Sequence, residues 1–250
     1  MIQAGSLEYA MARMHVRHAL VPSAVDWRDI EHARGLAGVL AAARETSLRP
    51  ALHGLADDAG LHDIDQALRF AWSALLGEVR RWLPLGWRRA IDWCEAIPRL
   101  DAVAALARGE AFAPWMRADP LLRGLDGRAP PTDHALAPLA PAWGDDAGQA
   151  PALWAVEWKN RLPREAREDE ALAKLATQVG RHVGAFGDAP AHDAPSMRAE
   201  LRARALSTFR RHGSEPAGVV AWLLLCALDL ERLRGELSRR AAFPDARPVP

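Results

Sequence analysis

Residues 63–83 read DIDQALRFAWSALLGEVRRWL, and their spacing decides the class of fold. Ile64, Leu68, Ala71, Trp72, Leu75, Val79 and Trp82 recur at the three- and four-residue spacings that one face of an α-helix buries. Pro84 then stops the helix, because its ring carries no N–H and collides with the preceding turn. Outward from this segment the same habit repeats. Ala, Leu, Arg and Glu dominate, and no run of β-branched residues alternates with a period of two. These features predict an all-α, multi-helical fold, with two packed helical subdomains.

Upstream, Ser6 is placed to cap a first helix over Ser6–Leu20, which stops before Pro22 and buries Leu7, Ala10, Met11, Met14 and Ala19. Asp26 is the expected N-cap of a second helical unit, with Trp27, Ile30, Leu36, Val39 and Leu40 facing inward and Gly35 and Gly38 marking a bend or a close helix contact. A short helix over Pro50–Ala56 leads to the central one. Downstream, Trp87–Ile97, Leu100–Ala107 and Pro114–Leu125 read as short helices. Residues 126–151, DGRAPPTDHALAPLAPAWGDDAGQAP, hold no sustained period. They are expected to be a linker or irregular excursion between an N-terminal subdomain over 1–125 and a C-terminal one over 152–243. The second subdomain is predicted to hold helices over Ala152–Leu162, Glu168–Phe186, Met197–His212 and Pro216–Arg240, with 244–250 a tail.

A chain of 250 residues can bury roughly three quarters of its unfolded surface, so a true core is expected. The 32 basic residues cancel the 32 acidic ones, which leaves no overall field to attract nucleic acid, and no polybasic run marks an anionic membrane. The longest apolar run, Ala217–Leu228, falls short of the about 20 residues that a membrane span needs. No basic and then apolar leader is read at the start, so a cytoplasmic protein is expected. Cys94 and Cys226 sit in apolar helical stretches and read as small buried hydrophobes. The 10 tryptophans suit helix junctions and protein interfaces alike.

Catalytic signatures are sparse. The phosphate-cradling GxxxxGK[ST] and GxGxxG loops and the GxSxG elbow are absent from the sequence. His15 and His18 stand one helical turn apart and, with His32 or a carboxylate completing the shell, could share a metal, but neither HExxH nor CxxC accompanies them. Solvated or capping histidines are the favoured reading for these and for His182, His192 and His212, and no metal or cofactor is expected. Glu157, Glu165, Asp169 and Glu170, around RLPREAREDEA, could form a dispersed acidic site. Acids at a helix start also complement its dipole, and a solvated charged face is favoured there. The chain is therefore not expected to be an enzyme.

The last predicted helix changes character inside itself: GVVAWLLLCAL (218–228) is followed by DLERLRGELSRR (229–240). One reading buries the first half and lets the second emerge, with Arg239 and Arg240 complementing the helix end. The other has Asp229, Arg232 and Arg234 meeting a separate protein or locking two helical units together.

Taken together, the two ends resemble the C/d-type adaptor family of archaeal-type and vacuolar-type rotary ATPases. Tyr9, Ala12-Arg13, His18 and Leu20 in SLEYAMARMHVRHAL match the pattern of the family's opening helix, and LAAARETSLRPAL with Thr46 matches the short helical unit that follows it. DLERLRGEL, with Asp229, Leu233 and Arg234, is similar to the closing helix, with Asp in place of the more usual Glu. The likeness spans about residues 6–55 and 196–240. Because the family is generally longer, with three helical subdomains forming a funnel, it implies a shortened member. It also implies that Tyr9, Arg13, Asp229, Leu233 and Arg234 are binding or structural residues of a non-catalytic adaptor. Such an adaptor would be peripheral to the membrane and would join the rotor ring to the central stalk. A helical interaction scaffold unrelated to ATPases, and an enzyme with a dispersed helical site, are the competing expectations.

Overall fold

In the computed structural model, which describes residues 5–125, 129–143, 147–188 and 190–243, Ser6 caps the first helix as the sequence predicts. Its hydroxyl accepts the Tyr9 N–H at 3.2 Å and opens α1 (Leu7–His18), which buries Ala10, Met11 and Met14 and leaves Ala19 exposed beyond its end. The N-cap of α2 (Ala24–His32) is Ser23, where Asp26 was expected. Asp26 instead occupies the third helical position and accepts the Ser23 N–H at 2.7 Å, while the Ser23 hydroxyl accepts the Asp26 N–H at 3.2 Å. This reciprocal capping box satisfies two otherwise orphaned donors. The expected bend falls at Gly35, whose φ of +64° opens α3 (Gly35–Arg44) in a conformation that glycine adopts without strain.

The central helix, α4 (Leu61–Trp82), starts two residues before the predicted Asp63, because the Asp63 carboxylate reaches back to accept the Gly60 N–H at 3.0 Å. It buries Ile64, Leu68, Trp72, Leu76, Val79 and Trp82. Leu76 thus takes the place expected for Leu75, and Ala71 and Leu75 are only half-buried. The expected short helix over Pro50–Ala56 is a single 3-10 turn over Arg49–Leu52.

After Pro84 come α5 (Arg88–Trp93), α6 (Leu100–Ala107), α7 (Pro114–Ala118), α8 (Ala150–Arg161) and α9 (Arg164–Arg167), with 3-10 turns between α5 and α6 and between α7 and α8. The chain closes with α10 (Glu170–Asp188), α11 (Ala194–Arg211) and α12 (Pro216–Ala242). Twelve α-helices and no strand occur among the described residues, so the fold is all-α. None of these helices is long and apolar enough to cross a membrane.

The division of the chain differs from the one the sequence predicts. One compact unit comprises residues 1–84 and 168–250, and the other residues 85–167. The stretch 126–151, expected as the boundary, lies inside the second unit. There Leu136, Leu139, Ala142 and Ala150 are fully buried with Trp93, Val103, Leu106 and Leu122 in one core. Its proline-rich composition conceals four apolar anchors, two of which, Leu139 and Ala142, are buried from a 3-10 turn. Residues 126–128 and 144–146, and the predicted tail 244–250, lie outside the described residues.

In the first unit α12 packs against α11, α10, α4, α3 and α1. Its Leu233 and Leu237 enter a core with Trp27, Ile30, Val39, Leu40, Leu52 and Ile64. Residues from before and after the 85–167 unit therefore build one body, and that unit is a continuous insertion within it.

Candidate functional site

The residues singled out on the closing helix prove to be its fastenings. Leu233 is fully buried. Asp229, only 4% exposed, accepts a hydrogen bond from Arg202 Nη1 of α11 at 2.5 Å. Burial raises the Asp229 pKa above the ordinary carboxylate range, and the Arg202 guanidinium opposes that shift. Arg234 donates to both oxygens of Asp65 on α4, at 2.7 and 3.4 Å. Arg232 donates from Nε and Nη2 to Glu31 of α2 at 2.8 and 2.5 Å, with its guanidinium 4.3 Å from the centre of the Trp27 ring. Arg240, 1% exposed, donates to the Glu31 carbonyl at 2.8 Å and so satisfies an acceptor in the last turn of α2. The half of α12 that was expected to emerge is thus buried at Asp229, Leu233, Leu237 and Arg240 and bonds within its own unit to α2, α4 and α11.

Tyr9 and Arg13 lie on α1. Tyr9 is half-buried, and the exposed Arg13 holds its guanidinium 5.4 Å from the ring centre of Trp82 on α4. Trp82 in turn meets Trp222 of α12, with ring centres 6.1 Å apart. The matched residues of the two ends are accordingly in one unit, linked through α4 and α12.

The histidines do not converge on a metal. His15 and His18 both pack on Phe209 of α11, with ring centres 4.6 and 4.8 Å away, while His32 meets the Arg28 carbonyl on its own helix at 2.7 Å. His15 Nε2 lies 3.3 Å from the Gly213 carbonyl. The His18 pKa is lowered, first by burial and then by Arg202, Arg210 and His15. Among the described residues no three His, Cys, Asp or Glu side chains are grouped so as to hold a metal ion. Burial pushes the Cys94 thiol up to about 12 and raises the partly buried Cys226 as well, which makes both poor nucleophiles.

One cleft of about 450 Å³ opens in the first unit between the start of α10 and the end of α11. It gathers Asp169, Glu170 and His212, residues far apart in sequence, with Glu215, Ser207 and Arg211. His212 Nδ1 and Glu215 Oε2 are 2.7 Å apart across the α11–α12 turn, and Lys174 pairs with Glu170 at 2.6 Å. The acids singled out in and just before RLPREAREDEA divide: Asp169 and Glu170 reach this cleft, whereas Glu157 accepts from Arg161 at 2.7 Å in the second unit. Each of these residues is visible in the sequence, but their meeting depends on the packing of α10 on α11, for which no local pattern codes.

The second unit has its own polar centre. Arg99 and Asp119, 6% and 7% exposed, are joined by Nε at 2.9 Å from both carboxylate oxygens. Asp119 also accepts the Leu121 and Leu122 N–H groups, and Arg99 donates to the Glu95 carbonyl. Nearby, the Trp93 and Trp154 indoles each donate to the other's backbone carbonyl, at 3.0 and 3.1 Å. Compared with protein-family models, with curated proteins and with solved structures, the chain matches none of them.

Proposed function

We propose that this chain is a non-catalytic helical adaptor that couples protein partners mechanically. The partners to which its sequence resemblance directs attention are the rotor ring and central stalk of a rotary ATPase. The observation that carries the reading is the fastening of α12 to α2, α4 and α11 by Arg232–Glu31, Arg234–Asp65 and Arg202–Asp229 over a core that includes Leu233. A part that passes torque between partners must keep its helices in one arrangement under load. Charge-assisted Arg–carboxylate hydrogen bonds add directional specificity to the non-directional hold of an apolar core. Under this reading Asp229, Leu233 and Arg234 supply stiffness, and the partners meet other faces.

A helical interaction scaffold outside any ATPase is the second reading. It is favoured by Val16 and Leu20, four residues apart at the end of α1 and 64% and 60% exposed. Exposed apolar side chains at such spacing suit a protein contact of any kind.

The test is affinity capture of the tagged full chain from detergent-solubilised membranes of its own cells, with the bound proteins identified by mass spectrometry. Stable recovery of rotor-ring and stalk components is the expected result. Recovery of soluble proteins alone would leave the scaffold reading, and recovery of none would remove the adaptor assignment.

A further inference from the structure

We propose that the cleft between the start of α10 and the end of α11 binds a small zwitterion of the α-amino-acid type, a role independent of the adaptor reading. The volume of about 450 Å³ lies within the roughly 300–1,000 Å³ typical of small-molecule sites. The buried Leu175 and the half-buried Ala171 line it together with polar and charged side chains.

The wall charges sort into two sets. Lys174 is engaged with Glu170, and His212 with Glu215, so these four side chains already answer one another. Asp169 spends one oxygen on the Leu172 N–H at 2.6 Å, capping α10, and keeps its second oxygen as an acceptor. The Arg211 guanidinium forms no hydrogen bond or ion pair with any described residue, although it stands in the same cleft. The unanswered groups are therefore one guanidinium fork and one carboxylate oxygen, with the Ser207 hydroxyl and the Gln178 amide beside them.

A guanidinium presents its donors in the geometry of a carboxylate, and a carboxylate oxygen accepts from an ammonium. One ligand that carries both groups, with a short side chain toward Leu175, meets all of these demands. A phosphate dianion does not, because Asp169, Glu170 and Glu215 line the cleft and repel it.

The experiment is isothermal titration of the full chain with each of the twenty standard amino acids, with their N-acetyl and amide derivatives, and with inorganic phosphate. At least one amino acid is expected to bind saturably with Kd of about 1 mM or tighter. Blocking either its amine or its carboxylate should weaken binding by at least about tenfold. Arg211→Gln and Asp169→Asn should each do the same with the thermal midpoint retained, since Arg211 is exposed and Asn caps a helix about as well as Asp. The proposal fails if no amino acid binds, if the blocked forms bind equally, if both variants bind as the parent does, or if phosphate is the preferred ligand. The blocked ligands test the parent protein alone, so a variant that failed to fold would not shelter the proposal.

Discussion

Asp119 and Arg99 show what a buried charge needs. Arg99 is held by two carboxylate oxygens and a backbone carbonyl, and Asp119 accepts two N–H groups in addition. Asp119→Ala would strip the guanidinium of its nearest counter-charge where water cannot replace it, with the Glu95 carboxylate at 3.8 Å left beside it. We expect a loss of about 3–5 kcal/mol in urea unfolding. By contrast Arg234→Ala, which removes a pair whose arginine is 55% exposed, should cost under about 1 kcal/mol by the same measurement.

His18 gives stability a pH dependence of known sign. Its folded pKa lies below the ordinary 6.5, so the unfolded chain takes up the proton first as pH falls. The stability it confers is present above pH 6.5 and drains away as pH drops through the lower folded value. His182, lowered mainly by burial, acts in the same direction. Asp229 acts in the opposite one: its folded pKa is raised, so its contribution is present below 3.8 and is lost as pH rises through the folded value. The thermal midpoint should therefore fall between about pH 7 and pH 5.5, and His18→Gln should flatten that slope. An unchanged slope would mean that His18 is not the group titrating.

Two glycines of α12 make opposite demands on one helix. A Cβ at Gly218 would collide with the His212 carbonyl oxygen and crowd Met11 Cε at 3.1 Å, in the turn where α11 and α1 close on α12. At the exposed Gly235 a Cβ would meet nothing within 4 Å. Gly218→Ala should cost about 1–3 kcal/mol through forced displacement of the turn. Gly235→Ala should raise stability by about 0.5–1 kcal/mol, because alanine restricts the unfolded chain and favours the helix. Chemical denaturation of the pair checks both signs. Equal effects would show that the two sites do not differ in packing.

For the molecule entire, the sequence is legible where order is local. Helical periodicity marks α4, and Ser6 marks the opening of α1. The expected cap at Asp26 falls three residues late because Ser23 and Asp26 share the cap, and either residue type can serve as one. The division into units is not legible, because it rests on the return of residues 168–250 to pack with 1–84. Nor is the cleft, which requires two helices to be brought face to face. Asp229 and Arg234 are visible as charges, but their partners Arg202 and Asp65 lie 27 and 169 positions away. Since the 85–167 unit has a core of its own, that fragment expressed alone should show helical circular dichroism and a cooperative melt; a featureless spectrum would refute its independence.

The place of α12 in chain order also bears on how the protein is made. A ribosome delivers Leu233, Leu237 and the arginines that fasten to Glu31 and Asp65 after everything they fasten to. The inserted unit can fold during synthesis, while α2, α3 and α4 wait with apolar faces uncovered. A product cut short before α12 would keep those faces bare and so present itself to proteases and chaperones. This helix therefore serves as a seal, set in place only once the body beneath it has been translated.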